Sequence, residues 1–125
     1  MEYPWNALLV RFMPFGTLKN NDLGDWLEPQ QDFRGITVAH TGNPDYDLLI
    51  AVHEIIEQHL CVRDGVPEAD VAAWDAEHNN GDVSGGDLPD APYHHQHKAA
   101  EGVEKAAAIA LGVDWQAYCD ALEAL

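Results

Sequence analysis

The chain has 125 residues, 46% of them hydrophobic, and sets 22 Asp and Glu against 6 Lys and Arg, for a formal charge of −16 at pH 7. This length gives a single domain over residues 1–125 with a modest core, and no run approaches the roughly 18 apolar residues of a membrane-crossing helix. The acidity runs along the whole chain and excludes direct nucleic-acid binding, which needs a basic footprint on the phosphates; it leaves either solubility with cation attraction, or imitation of a polyanion that occupies a basic partner protein.

Taken in order, Ala7-Leu-Leu-Val-Arg-Phe12 is short, apolar and β-compatible, closed by Pro14 and Gly16, and predicts a strand. Residues 17–32 are polar and turn-rich, and Gly24-Asp-Trp-Leu27 offers a short edge strand. Arg34-Gly-Ile-Thr-Val-Ala-His40 alternates around Ile36 and Val38 as a further strand. Thr41-Gly-Asn-Pro-Asp45 ends it, and Asp45 or Asp47 can cap a helix from about Tyr46 to Val62. Its apolar stripe of Leu48, Leu49, Val52, Ile55, Ile56 and Leu60 predicts a central position, with His59 falling inside the stripe as a packing or helix-end residue.

Gly65 stops that helix and Pro67 opens the next, to about His78. Val71, Trp74, Asp75 and His78 share one of its faces, so Asp75 is a carboxylate turned towards the core, with a backbone hydrogen bond to a loop as the structural alternative. Residues 79–92 form a Gly/Asp-rich loop, whose Asp82, Asp87 and Asp90 lack the alternation and closing Glu of an EF-hand. A third helix spans Tyr93 to Leu111, led by His94 and His95 as exposed residues, and Asp114 caps a fourth. Strands within 1–41 followed by helices within 46–125 predict an α+β fold, a small antiparallel sheet of two or three strands packed on a bundle of about four helices. Met1-Glu-Tyr-Pro-Trp5 lacks a basic leader, and the two cysteines, Cys61 and Cys119, lie on apolar stripes. The expectation is a cytoplasmic protein with buried free thiols.

The chemistry concentrates in His53-Glu-Ile-Ile-Glu57. His53 and Glu57 leave one helix face a turn apart, as an imidazole and a carboxylate able to grip a divalent cation. In the third helix His97, Glu101 and Glu104 recur as one stripe while Lys98 and Lys105 project away. Packing the apolar faces together would bring His53, Glu57, Asp75, His97 and Glu104 towards one point as metal ligands, with Glu54 beside them as a general base. A buried hydrogen-bond network without metal is the alternative for the same residues.

His53-Glu54-x-x-Glu57 resembles the active-site helix of the zincin metallopeptidases, His-Glu-x-x-His. The resemblance implies a zinc ligand at His53, a catalytic base at Glu54, and a preceding strand, Arg34 to His40, that holds extended substrate. Glu57 departs from the motif; zinc remains the first choice, and a carboxylate there favours the harder Mn²⁺, Mg²⁺ or Fe²⁺ somewhat more. The layout of this motif, Trp74-Asp75 and Ala91-Pro-Tyr-x-x-x-His97 also looks like that of small phage and prophage proteins. Glu54-x-x-Glu57 resembles half of the acidic pattern of all-helical nucleotide pyrophosphohydrolases, whose second Glu-x-x-Asp is missing. Neither a nucleophile elbow nor a P-loop is present.

Overall fold

A computed structural model describes residues 5–78 and 84–125. Three strands, β1 (Ala7–Met13), β2 (Gly24–Trp26) and β3 (Phe33–Ala39), are followed by four helices, α1 (Pro44–Asp64), α2 (Glu68–His78), α3 (His94–Leu111) and α4 (Trp115–Glu123). Short 3-10 turns occur at Lys19–Asn21 and Gly85–Asp87. The fold is α+β as expected. Residues 79–83 of the anticipated loop, Asp82 included, lie outside the described residues, as do residues 1–4.

The sheet is mixed, where an antiparallel one was expected. Its order is β1-β3-β2, with β1 parallel to β3 and β2 antiparallel to it. Alternation of side chains sets which face is buried but says nothing about strand direction. Here residues 14–32 carry the chain across the sheet, so that β2 turns back onto the far side of β3. Leu27 N and Ala39 N extend the pairing on that side, donating to Gly35 O and Leu23 O. Both edges of β3 are therefore occupied, and the expectation that Arg34–His40 holds extended substrate fails. A strand can accept a peptide only along an unpaired edge.

Helix α1 lies at the centre, against α3 on one side and β2 and β3 on the other. The core it organises contains Trp26, Ile36, Val38, Leu49, Ile50, Val71, Tyr93 and Tyr118. Its inward face is more polar than its apolar stripe suggests: Leu48 is 46% exposed, whereas Glu57 is 4% and Gln58 1% exposed. Gln58 is accommodated because its Nε2 donates to Leu27 O at 3.0 Å and Gly35 O at 3.3 Å, tying the helix to the sheet. His59, one residue on, is exposed instead of packed, and its Nδ1 lies 3.0 Å from an Arg34 guanidinium nitrogen.

The helix ends follow local rules. Gly65 and Gly112 close α1 and α3 in the left-handed conformation, at φ 75° and 70°. Asp114 caps α4 through Ala117 N. The α1 cap is Asn43, whose side chain accepts from Asp45 N and Tyr46 N, displacing the expected Asp45 or Asp47. Pro44 explains the shift, since it takes the first helical position and leaves Asn43 just outside. Cys61 is buried and Cys119 partly so, and both are free thiols.

Asp47 turns back to the strand end. It accepts from Thr41 N at 2.9 Å, Thr41 Oγ1 at 2.6 Å and His40 Nδ1 at 3.1 Å. Burial pushes its carboxyl up, but the Thr41 and His40 bonds outweigh that and hold it below the usual value. Asp47→Ala is expected to cost about 1–3 kcal/mol at pH 7, because charge-assisted bonds are lost and the Thr41 amide is left bare. The contribution is present above the ordinary aspartate range and disappears as pH falls through the lower folded value. Urea titrations of both proteins should therefore draw together as the pH falls below the ordinary aspartate range.

Candidate metal centre

Three residues from two helices meet where α1 crosses α3. His53 Nε2 lies 3.0 Å from Glu57 Oε2, and His97 Nδ1 lies 3.1 Å from the same oxygen. The two rings meet edge to face, with centroids 4.8 Å apart. One donor atom from each of His53, Glu57 and His97 falls within 4.8 Å of the others, so the group could hold a metal ion. Donors on a tetrahedral zinc ion stand about 3.4 Å apart for metal–ligand lengths of ~2.1 Å, a few tenths of an ångström beyond the two separations seen here.

Every ring nitrogen not turned to Glu57 has its own carboxylate. His53 Nδ1 donates to Glu104 Oε1 at 2.8 Å, and Tyr118 Oη donates to Glu104 Oε2 at 2.6 Å. His97 Nε2 donates to Asp87 Oδ1 at 3.1 Å. The other Glu57 oxygen accepts from Trp26 Nε1 at 3.2 Å. The result is a chain running Tyr118, Glu104, His53, Glu57, His97, Asp87, with acids and imidazoles in alternation.

Helix geometry builds the inner part of this chain. The i, i+4 spacing in α1 stacks His53 on Glu57, and the seven-residue step in α3 puts His97 and Glu104 on one side, astride His53. Glu101, between them in the predicted stripe, turns outward instead. It binds Lys98 Nζ at 3.0 Å and Lys105 Nζ at 3.2 Å, so these lysines do not simply project away. Asp87, His97 and Glu101 form a second group within metal range, but Lys98 Nζ stands between its carboxylates, 3.4 Å from Asp87 Oδ1.

Electrostatics follow from the geometry. Glu57 is pushed up by burial, yet its bonds to His53 and His97 and their charges bring it down to about 2. His53 is pulled down by burial, but the bonds to Glu104 and Glu57 raise it well above the usual histidine value. Glu54 is driven well above the carboxylate range by burial and then by the Glu57 charge. Asp75 is raised to about 6, by burial first; the bond from Tyr93 works against the rise and Glu57 adds to it.

The cluster borders a cavity of about 650 Å³, whose walls include Asp25, Glu54, Asp75, Tyr93 and Tyr118. Among its lining residues there is no lysine or arginine. Glu54 and Asp75 thus face the same space as the donor group without belonging to it. Among the described residues Asp75 accepts from the Tyr93 hydroxyl. Glu104 sits one step out, both oxygens engaged. His78 stacks on Trp74 at 3.6 Å and donates to Trp74 O, away from the cluster. His95 is exposed, whereas His94 Nδ1 donates to Gly86 O at 2.9 Å and is partly buried.

Sequence reasoning missed Asp87, Trp26 and Tyr118 as parts of this network. Asp87 was legible only as a loop acid. The indole and phenol read as apolar bulk, and nothing local marks where their polar ends point. No family model, no curated protein and no solved structure matches the chain.

Proposed function

We propose that the protein binds one divalent cation through His53 Nε2, Glu57 Oε2 and His97 Nδ1, and that it is a metal-dependent hydrolase acting in the adjoining cavity. The observation that carries this reading is the orientation of the rings. Each imidazole turns one nitrogen to the common point and has the other held by a carboxylate, Glu104 or Asp87. Metal-ligating histidines are oriented in this way, because the outer carboxylate fixes the proton on the remote nitrogen and makes the near one a better donor.

Two imidazoles and one carboxylate form a catalytic zinc set that leaves a coordination position open. Zinc is our first assignment; Fe²⁺ suits the same set, and Mn²⁺ is the next harder ion. A bound cation would supply Lewis acidity towards water or a polarised carbonyl. The chain supplies the rest. Glu54, on the cavity wall one residue from His53, is the proton acceptor. Asp75, raised to about 6 and held by Tyr93, is a second group able to exchange a proton near neutrality. The acidic wall disfavours anionic substrates. Of the zincin resemblance this keeps the ligand helix and the base, and drops the substrate strand.

Elemental analysis of protein purified without added metal tests the reading. Wild type is expected to carry close to one equivalent, His53→Ala none, and Glu54→Gln the wild-type amount with hydrolysis lost. Equal metal content in wild type and His53→Ala would end the proposal.

One observation favours a second reading. No buried side-chain polar atom among the described residues lacks a partner, so the network can stand by itself as a polar core. That reading expects melting to be indifferent to chelator.

A further inference from the structure

We propose that Asp87 is a positioning residue for this centre: the Gly85–Asp87 turn grips the His97 imidazole and sets how strongly it binds the cation. The proposal rests on the metal reading above and adds a residue from outside the helices that carry the donors.

The grip has two parts. Asp87 Oδ1 accepts from Nε2–H at 3.1 Å, with Nδ1 the atom turned to Glu57. Gly86 lies against the ring: a Cβ built there would fall 2.5 Å from His97 Cγ and 2.7 Å from His97 Nδ1, and 2.8 Å from Tyr93 Cε2. Only a residue without a side chain lets the backbone approach an imidazole this closely. Tyr93 meets the His97 ring at an interplanar angle of 89°, so the ring is confined by more than one contact.

The turn is itself tied down from both sides. Trp74 Nε1 of α2 donates to Gly85 O at 2.9 Å, and His94 Nδ1 of α3 donates to Gly86 O at 2.9 Å. Lys98 steadies Asp87 from the solvent side, and Glu101 holds Lys98. A carboxylate whose side chain is 46% exposed contributes little to a core, yet this one is aimed at the remote nitrogen of a donor ring. Such carboxylates raise ligand basicity, and their removal costs about 10–100-fold in metal affinity.

The test titrates Zn²⁺ into chelator-treated protein at several pH values, with His97 ring signals followed by NMR. Asp87→Ala is expected to weaken binding about 10–100-fold, to abolish the exchange-protected Nε2 proton signal of His97, and to leave the metal-free melting temperature near wild type. Asp87→Asn, which keeps an acceptor oxygen but not the charge, should fall between the two. Gly86→Ala should weaken Zn²⁺ binding through the face of the ring while Asp87 is intact. Asp87→Ala binding Zn²⁺ within about twofold of wild type at every pH, with the His97 signals unchanged, overturns the positioning role and leaves the metal site standing. A wild type that takes up no Zn²⁺ overturns both.

Discussion

Glu57→Ala is expected to lower stability by about 3–5 kcal/mol, the range for stripping one member from a buried charged network. In a chain of this length that corresponds to a melting temperature lower by roughly 10–20 °C. The cause is specific. Glu57 Oε2 accepts from His53 and His97, and Oε1 accepts from Trp26, in a residue that is 4% exposed. Removing the carboxylate strands three donors and leaves two rings with centroids 4.8 Å apart without the charge between them. Glu57→Gln keeps the shape and one acceptor oxygen, so its loss should be clearly smaller. Both variants should fail to bind metal. Thermal unfolding followed by circular dichroism separates them, and a loss below about 1 kcal/mol in Glu57→Ala would show that the three bonds are not held together in solution.

The metal-free protein is expected to be most stable near pH 5 and to lose stability in both directions. Glu57 ionises at about 2 in the folded chain against 4.5 ordinarily, so its contribution is complete above 4.5 and lost as pH falls towards 2. His53 is raised above its ordinary 6.5, so its contribution is complete below 6.5 and lost as pH rises through the folded value. Asp75, at about 6 against 3.8, keeps a proton that the unfolded chain would release, and Glu54 is shifted the same way. These acids also make the folded state less favourable as pH climbs from 4 upward. A cation bound at the proposed site would reverse the alkaline limb, because it needs its imidazole donors without their inner protons. Melting temperatures measured with chelator and with Zn²⁺ should therefore diverge progressively from pH 6 to pH 8. A metal-free protein whose melting temperature climbs steadily from pH 5 to pH 8 would contradict the assigned network.

The pairing of His53 with Glu57 was legible because helical spacing is a local property, and the same holds for Gly65, Gly112 and the Asp114 cap. The convergence of His97 on that pair was legible too, since each residue borders an apolar face and such faces pack inward. What escaped is set by direction and distance. Parallel pairing of β1 with β3 depends on how residues 14–32 cross the sheet, which side-chain alternation does not encode. Asn43 took the cap because Pro44 follows it, a signal that the abundance of acids obscured. Asp87 reaches His97 through a turn whose course depends on Trp74 and His94, and no periodicity announces a contact made by a loop. Glu101 and Lys98 show the reverse error, in which adjacent residues on one helix were separated by sign when they bind each other.

The alternation of acids and imidazoles has one last consequence. Both nitrogens of His53 face carboxylate oxygens and the ring is held well above the usual histidine value, so in the empty cluster it carries both its protons near neutrality. A divalent ion held at His53 Nε2 would displace the proton there, so uptake would release acid and add less than the ion's full charge to the cluster. Buffer acidification on mixing metal-free protein with the ion would reveal the proton that His53 gives up.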